Sequence, residues 1–237
     1  MATNNNNSDF DLSDVFTVVH GEKTVFVHRY VLTKSSDFFK ACCKSDWNEG
    51  REKKVNLPAE DYPQLEVYLK WLYTGKLEPL TGYTLDDVRG CRLDPCDEQE
   101  RALVAQNMYE EVLVELAVLG DRLGDADFSN TVADWFIQLG EYAHIHCSPA
   151  GLKKLWETLP SNSLIRRLHV DVRHAHGRIL DQNGKGSEAW PSAFVFDLMI
   201  SFQDARRRLK PEPMPTWENR CDYHVHPPPA DEFFVCT

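Results

Sequence analysis

Apolar and polar positions along this chain keep two different rhythms. Near the N-terminus, Val15-Phe16-Thr17-Val18-Val19 and Thr24-Val25-Phe26-Val27 are runs of strand formers on either side of the turn-like His20-Gly21-Glu22-Lys23, a pattern that predicts a β-hairpin. His28 to Leu32 predicts a short helical turn, and Ser35 or Ser36 can cap a second helix carrying Phe38, Phe39 and Cys42. Lys53 to Leu57 predicts a third short strand. After Pro63 the period lengthens. Leu65, Tyr68, Leu69 and Leu72 fall at i, i+3, i+4 and i+7, which predicts a helix with one buried face, ending at Thr74-Gly75.

Between residues 78 and 108 the rhythm breaks. Thr81 to Arg101 holds six acidic residues against three basic ones, with glycine, proline and two cysteines, and predicts an inserted surface loop. Helical spacing then returns in Leu113, Leu116, Ala117 and Leu123, and again in Val132, Trp135, Phe136 and Leu139. A further helix opens at Ser148-Pro149 and carries Leu152, Leu155, Trp156 and Leu159. Ile165, Leu168, His169 and Val172 mark another. Beyond a Gly-rich break at Asp181–Ser187, Val195, Leu198, Met199, Phe202 and Leu209 mark the last. The Asn-rich residues 1–11 predict a disordered lead, and the Pro-rich residues 211–237 an irregular tail. The fold class expected is α+β: a small sheet with a cluster of helices, then a mainly helical extension.

At 237 residues the chain holds one large domain, or one domain with a sizeable extension, and needs no staples to fold. A net charge of −11 argues against nucleic acid or an anionic membrane as partner, since no face can be broadly basic. The one dense basic run, Arg206-Arg207-Arg208, reads as a solvated face. No stretch approaches the length of apolar chain that spans a bilayer, and the start lacks the pattern of a signal peptide. Seven cysteines in irregular pairs then point to reduced thiols in cytoplasm or nucleus.

The order of elements, with Ser13-Asp14-Val15, Val27-His28-Arg29-Tyr30-Val31-Leu32, Ser36-Asp37-Phe38-Phe39-Lys40, Val55-Asn56-Leu57, Trp71-Leu72-Tyr73-Thr74-Gly75 and Val114-Glu115-Leu116-Ala117-Val118-Leu119, resembles the BTB/POZ domain. The resemblance covers residues 12–145 with 78–108 as the insertion, leaving 146–210 as a helical extension and 211–237 as the tail. The chain is similar to the short single-BTB proteins of filamentous fungi. The resemblance implies a protein-interaction module that homodimerises. It also implies a structural His28 at the head of the first helix.

Four groups of residues carry candidate chemistry. His28 with Cys42 or Cys43 has the residue types of a base and a nucleophile, but no local acid orients the imidazole, so packing is expected. The resemblance places Asp14 and Arg29 in a charged pocket near a dimer interface; the simpler alternative is a strand-end cap and a solvated arginine. It also places Trp47-Asn48-Glu49 where cullin-recruiting adaptors carry a hydrophobic-x-Glu motif. There Trp47 is an exposed anchor beside the Glu49 carboxylate, or a side chain folded back on its own domain. In the tail, Cys221, His224, His226 and Cys236 offer the ligand types of a small structural zinc site; the alternative is a strand docking Tyr223 and Val225 on the helices. His144/His146 and His174/His176 lie two apart on helices and diverge by roughly 200°. Cys91 and Cys96 stand in the insert without histidines nearby. No cofactor is otherwise implied.

Three functions follow from this reading. The first is a non-enzymatic homodimer that recruits a cullin and presents an unidentified protein substrate. The second is a dimeric scaffold or transcription cofactor without cullin contact. The third, an enzyme, lacks any catalytic spacing.

Overall fold

The structure is a computed structural model that describes residues 11–78, 97–143, 147–176, 190–207 and 220–226, with side chains not described at 97–106, 141–143, 176 and 204–207. The described residues pack as two units: 11–78 with 119–128, and 97–118 with 129–226. Outside them lie residues 1–10 of the N-terminal lead, Cys91 and Cys96, His144 and His146, the Gly-rich break, Arg208, Leu209, the tail's prolines and Cys236.

In the first unit, β1 (Val15–His20) and β2 (Lys23–His28) form the expected hairpin, and β3 (Lys54–Leu57) lies parallel to β1 on its other side. The alternation of strand side chains puts Phe16, Val18, Val27, Val55 and Leu57 on the buried face. Three short helices follow the sheet's turns: α1 (Arg29–Leu32), α2 (Asp37–Cys42) and α3 (Asn48–Glu52). Ser36 caps α2 by accepting from the Phe39 N–H at 3.2 Å, and its own hydroxyl donates to the Leu123 carbonyl at 2.7 Å. Helix α4 (Leu65–Thr74) buries Leu65, Tyr68, Leu69 and Trp71 and stops at Gly75, whose φ of +65° is the left-handed conformation a glycine adopts without strain. Phe128 stands edge-on to Tyr68 and Trp71, each at 4.9 Å, and Leu119 and Leu123 complete this core.

Helix α5 spans Asp97–Leu123, so its first turns occupy a stretch expected to be loop. The physical reason lies in composition. Residues 97–106 are Asp-Glu-Gln-Glu-Arg-Ala-Leu-Val-Ala-Gln, strong helix formers for the most part with acids in the first turn, which is what a helix N-terminus favours. Residues 79–96, the rest of the insert, lie outside the described residues.

The second unit is helical. It contains residues 97–118 of α5, most of α6 (Ala126–Ala143), α7 (Pro149–Thr158), α8 (Leu164–His176), α9 (Ser192–Arg207) and a 3-10 turn at Arg220–Tyr223. Ser148 caps α7 as its sequence predicts, accepting from the Gly151 N–H at 3.1 Å. Leu152, Leu155, Trp156 and Leu159 are all buried, as are Ile165, Leu168 and His169 of α8. Helix α9 is rotated from the face its spacing suggests: Phe194 and Leu198 are buried, whereas Met199, Phe196 and Ile200 are exposed. Polar ties fix that rotation. Asp197 accepts from Trp156 Nε1 at 2.8 Å and from Arg166 Nη2 at 2.9 Å, and Phe194 stands edge-on to Trp156 at 4.9 Å. No helix among the described residues is long and apolar enough to cross a membrane.

Candidate partner-binding surface

Trp47 is the N-terminal cap of α3, with extended backbone (φ −97°, ψ 154°), and 59% of its surface is exposed. It does not fold back on its own domain. The turn that presents it is held at both ends. The Trp47 N–H donates to the Lys44 carbonyl at 3.1 Å, and the Trp47 carbonyl accepts from the Arg51 N–H at 3.2 Å. Gly50 is required beneath it, because a Cβ there would lie 2.0 Å from the Lys44 carbonyl oxygen. Glu49 is half-buried in the first turn of α3, where the N-terminal end of the helix favours its negative charge. Burial, and then the Glu49 carboxylate, push the half-buried Cys42 thiol above its ordinary range. A large apolar side chain thus stands on a tightly fixed turn, with a carboxylate two residues on.

Asp14 and Arg29 line a cleft of about 610 Å³ together with residues that include Asp11, Tyr30, Lys34 and Cys43. The Arg29 N–H donates to the Asp14 carbonyl at 2.9 Å, which sets the two side chains side by side. Their charged groups are 3.5 Å apart, while Lys53 Nζ is closer to Asp14, at 2.6 Å. The Arg29 guanidinium turns instead to the Cys43 carbonyl, donating at 2.5 Å. The carboxylate is therefore shared between two cations, and Arg29 also braces α2.

His28 and the paired cysteines form no catalytic arrangement. His28 Nδ1 lies 2.9 Å from the Tyr73 hydroxyl, which also accepts from the His28 N–H at 3.0 Å. Burial pushes the Cys43 thiol up to about 11, leaving it protonated at neutral pH and a poor nucleophile.

In the tail, Cys221 is half-buried and His224 Nε2 faces Asp134 Oδ1 at 3.1 Å. Among the described residues no three histidine, cysteine or acidic side chains converge to hold a metal, and Cys236 lies outside them. Tyr223 is buried, but the segment is a 3-10 turn rather than a strand, and Val225 points its side chain outward. His174 Nδ1 meets Ser201 Oγ at 2.6 Å with its ring 4.2 Å from that of Phe202, and His169 stacks edge-on to Phe136 at 4.8 Å.

Sequence reasoning missed four positions that the structure makes important. Asp125 is 1% exposed and accepts from Ser35 Oγ at 2.7 Å, Tyr68 Oη at 2.8 Å and the Phe128 N–H at 3.0 Å. Its signal was available as an Asp after a glycine, just before a helical run. Gly50, Asn130 and Asp134 carried no such local signal.

The sequence of residues 3–89 matches the family model of the BTB/POZ domain. The chain carries a BTB/POZ domain. Its small three-stranded sheet with surrounding helices is the fold of this BTB/POZ region, and a helical region follows it. BTB/POZ domains mediate protein–protein interaction, self-association included, so the first unit of the chain is an interaction domain. The match ends at residue 89, so α5 and Phe128, which complete the first core, lie beyond it. None of the curated proteins matches the chain, which leaves the likeness to fungal single-BTB proteins without support.

Proposed function

We propose that this BTB/POZ protein is a non-enzymatic adaptor that self-associates and engages a cullin-type scaffold through Trp47 and Glu49, with its helical region presenting a protein substrate. The observation that carries the reading is Trp47, 59% exposed on a turn fixed by Gly50 and two backbone hydrogen bonds. An exposed tryptophan on a rigid turn loses little conformational freedom on binding, which is the character of a hot spot. The shared carboxylate of Asp14 supports self-association beside it, since a second copy that covered the cleft would meet charges already matched.

Calorimetric titration with a cullin N-terminal domain at fixed salt tests the adaptor role. Submicromolar binding is expected, weakened at least about 30-fold by Trp47→Ala, the factor for a hot spot of about 2 kcal/mol. Glu49→Arg should weaken it comparably, with urea unfolding unchanged for Trp47→Ala and lowered by no more than about 1 kcal/mol for Glu49→Arg, the loss of a favourable charge at the helix start. No heat from the wild-type chain at high concentration would leave a scaffold or cofactor without cullin contact. A monomer by light scattering at tens of micromolar would remove self-association.

A further inference from the structure

Residues 220–226 lie on the second unit in the manner of a bound peptide. Asn130 of α6 clamps the main chain of Val225 from both sides: its Oδ1 accepts from the Val225 N–H at 2.6 Å, and its Nδ2 donates to the Val225 carbonyl at 3.0 Å. A side-chain amide used this way reads an extended backbone and asks nothing of the side chain, and Val225 is accordingly 47% exposed. Two residues earlier, Tyr223 is 1% exposed and packs with Ile137 of α6 and Leu168 of α8. Its hydroxyl donates to Asp171 at 3.3 Å. One acid, Asp134, faces two side chains of the segment, with Arg220 Nη1 at 3.3 Å and His224 Nε2 at 3.1 Å from the same oxygen. One buried aromatic anchor, a two-way backbone clamp and an acid that meets an arginine and a histidine are the elements by which folded domains recognise short linear motifs.

We propose that the α6–α8 surface is a short-peptide recognition site, held in cis by Arg220–His226 and open in trans to a partner segment with a basic residue three positions before a tyrosine and a histidine directly after it. A single anchor and a few hydrogen bonds hold the segment far less firmly than the helices beneath it are held, so it exchanges while they stay folded. The site is independent of Trp47 and of self-association, and a failed cullin titration leaves it untouched.

The test uses the full chain under reducing conditions. Tyr223→Ala vacates the anchor, and a fluorescent peptide of residues 218–228 is titrated by anisotropy. Binding near or below about 100 µM is expected. It should be lost on adding Asn130→Ala, and lost when the peptide's own tyrosine is alanine. The wild-type chain should bind the peptide about tenfold more weakly, because a short tether holds its own segment at an effective concentration of about 1 mM. A natively folded Tyr223→Ala chain that ignores the peptide overturns the proposal, as does binding indifferent to Asn130. Hydrogen exchange on the wild type serves where that variant does not fold. The Val225 amide should exchange at least a hundredfold faster than the slowest amides of α6, and equal rates would make the segment part of the core.

Discussion

Asp125 is the residue on which the first unit's closure depends, and its removal gives a prediction that can be worked through. Its Oδ1 accepts the Phe128 N–H and so caps α6; its Oδ2 accepts from both Tyr68 and Ser35. Asp125→Ala removes the cap, a loss of about 1 kcal/mol. It also leaves the fully buried Tyr68 hydroxyl without its acceptor, which costs about 1–3 kcal/mol. Ser35 is only half-buried and can turn to water, so its loss is small. The expected total is about 3 kcal/mol.

A double-mutant cycle separates the parts. Tyr68→Phe alone should cost about 1 kcal/mol, the net worth of a buried hydrogen bond. In the Asp125→Ala background the same change should cost nothing or restore stability, because it removes an unsatisfied hydroxyl. Urea unfolding at pH 7 followed by tryptophan fluorescence measures all four corners, and the coupling should be about 1–2 kcal/mol. Asp125→Asn keeps an acceptor for the cap and should cost less than alanine. A coupling indistinguishable from zero, or an alanine variant within about 0.5 kcal/mol of wild type, would refute the reasoning.

Two further outcomes are expected. Gly50→Ala forces a Cβ against the Lys44 carbonyl and should destabilise the first unit by about 1–3 kcal/mol, weakening any binding through Trp47 more than Asn48→Ala does; urea melts and the cullin titration read the two effects. Cys43 favours its protonated form in the folded chain, so the native state binds the extra proton and stability falls as pH rises from the thiol's ordinary 9.0 to about 11. Wild type should lose about 2–3 kcal/mol more than Cys43→Ala across that window in parallel urea melts, and matching curves would count against it.

The strands and most helices were legible in the sequence because each buries a single face. Val15–Val19 and Thr24–Val27 are runs of strand formers on either side of a turn, and Leu65, Tyr68, Leu69 and Leu72 repeat at helical spacing. Helix α9 was legible as a helix but not in its rotation. Phe194, Val195, Phe196, Leu198, Met199 and Ile200 make it apolar nearly all round, so spacing alone cannot say which side is inside. What decides it is Asp197, through partners 31 and 41 residues away in sequence. The start of α5 was hidden for the opposite reason: a polar, charged stretch reads alike as loop and as the exposed face of a helix. The resemblance carried the family and pointed to Trp47, yet whether that side chain faced inward was a matter of the turn beneath it.

The tail shows most sharply what spacing alone cannot see. Cys221, His224 and His226 have the residue types of a zinc site, and sequence offers no way to see what else His224 can meet. The structure gives its Nε2 to Asp134, ninety residues earlier in the chain. Arg220 meets the same carboxylate, and Asn130, one helical turn before it, takes the backbone of Val225. Asn130 and Asp134 stand four residues apart on α6 and therefore on one face, so one helix supplies both the clamp and the charge. In sequence that pair is part of the polar side of an amphipathic helix, with nothing to set it apart, because a polar stripe ordinarily faces water. Here it faces seven residues of the protein's own chain, and the same chemistry would serve for another's.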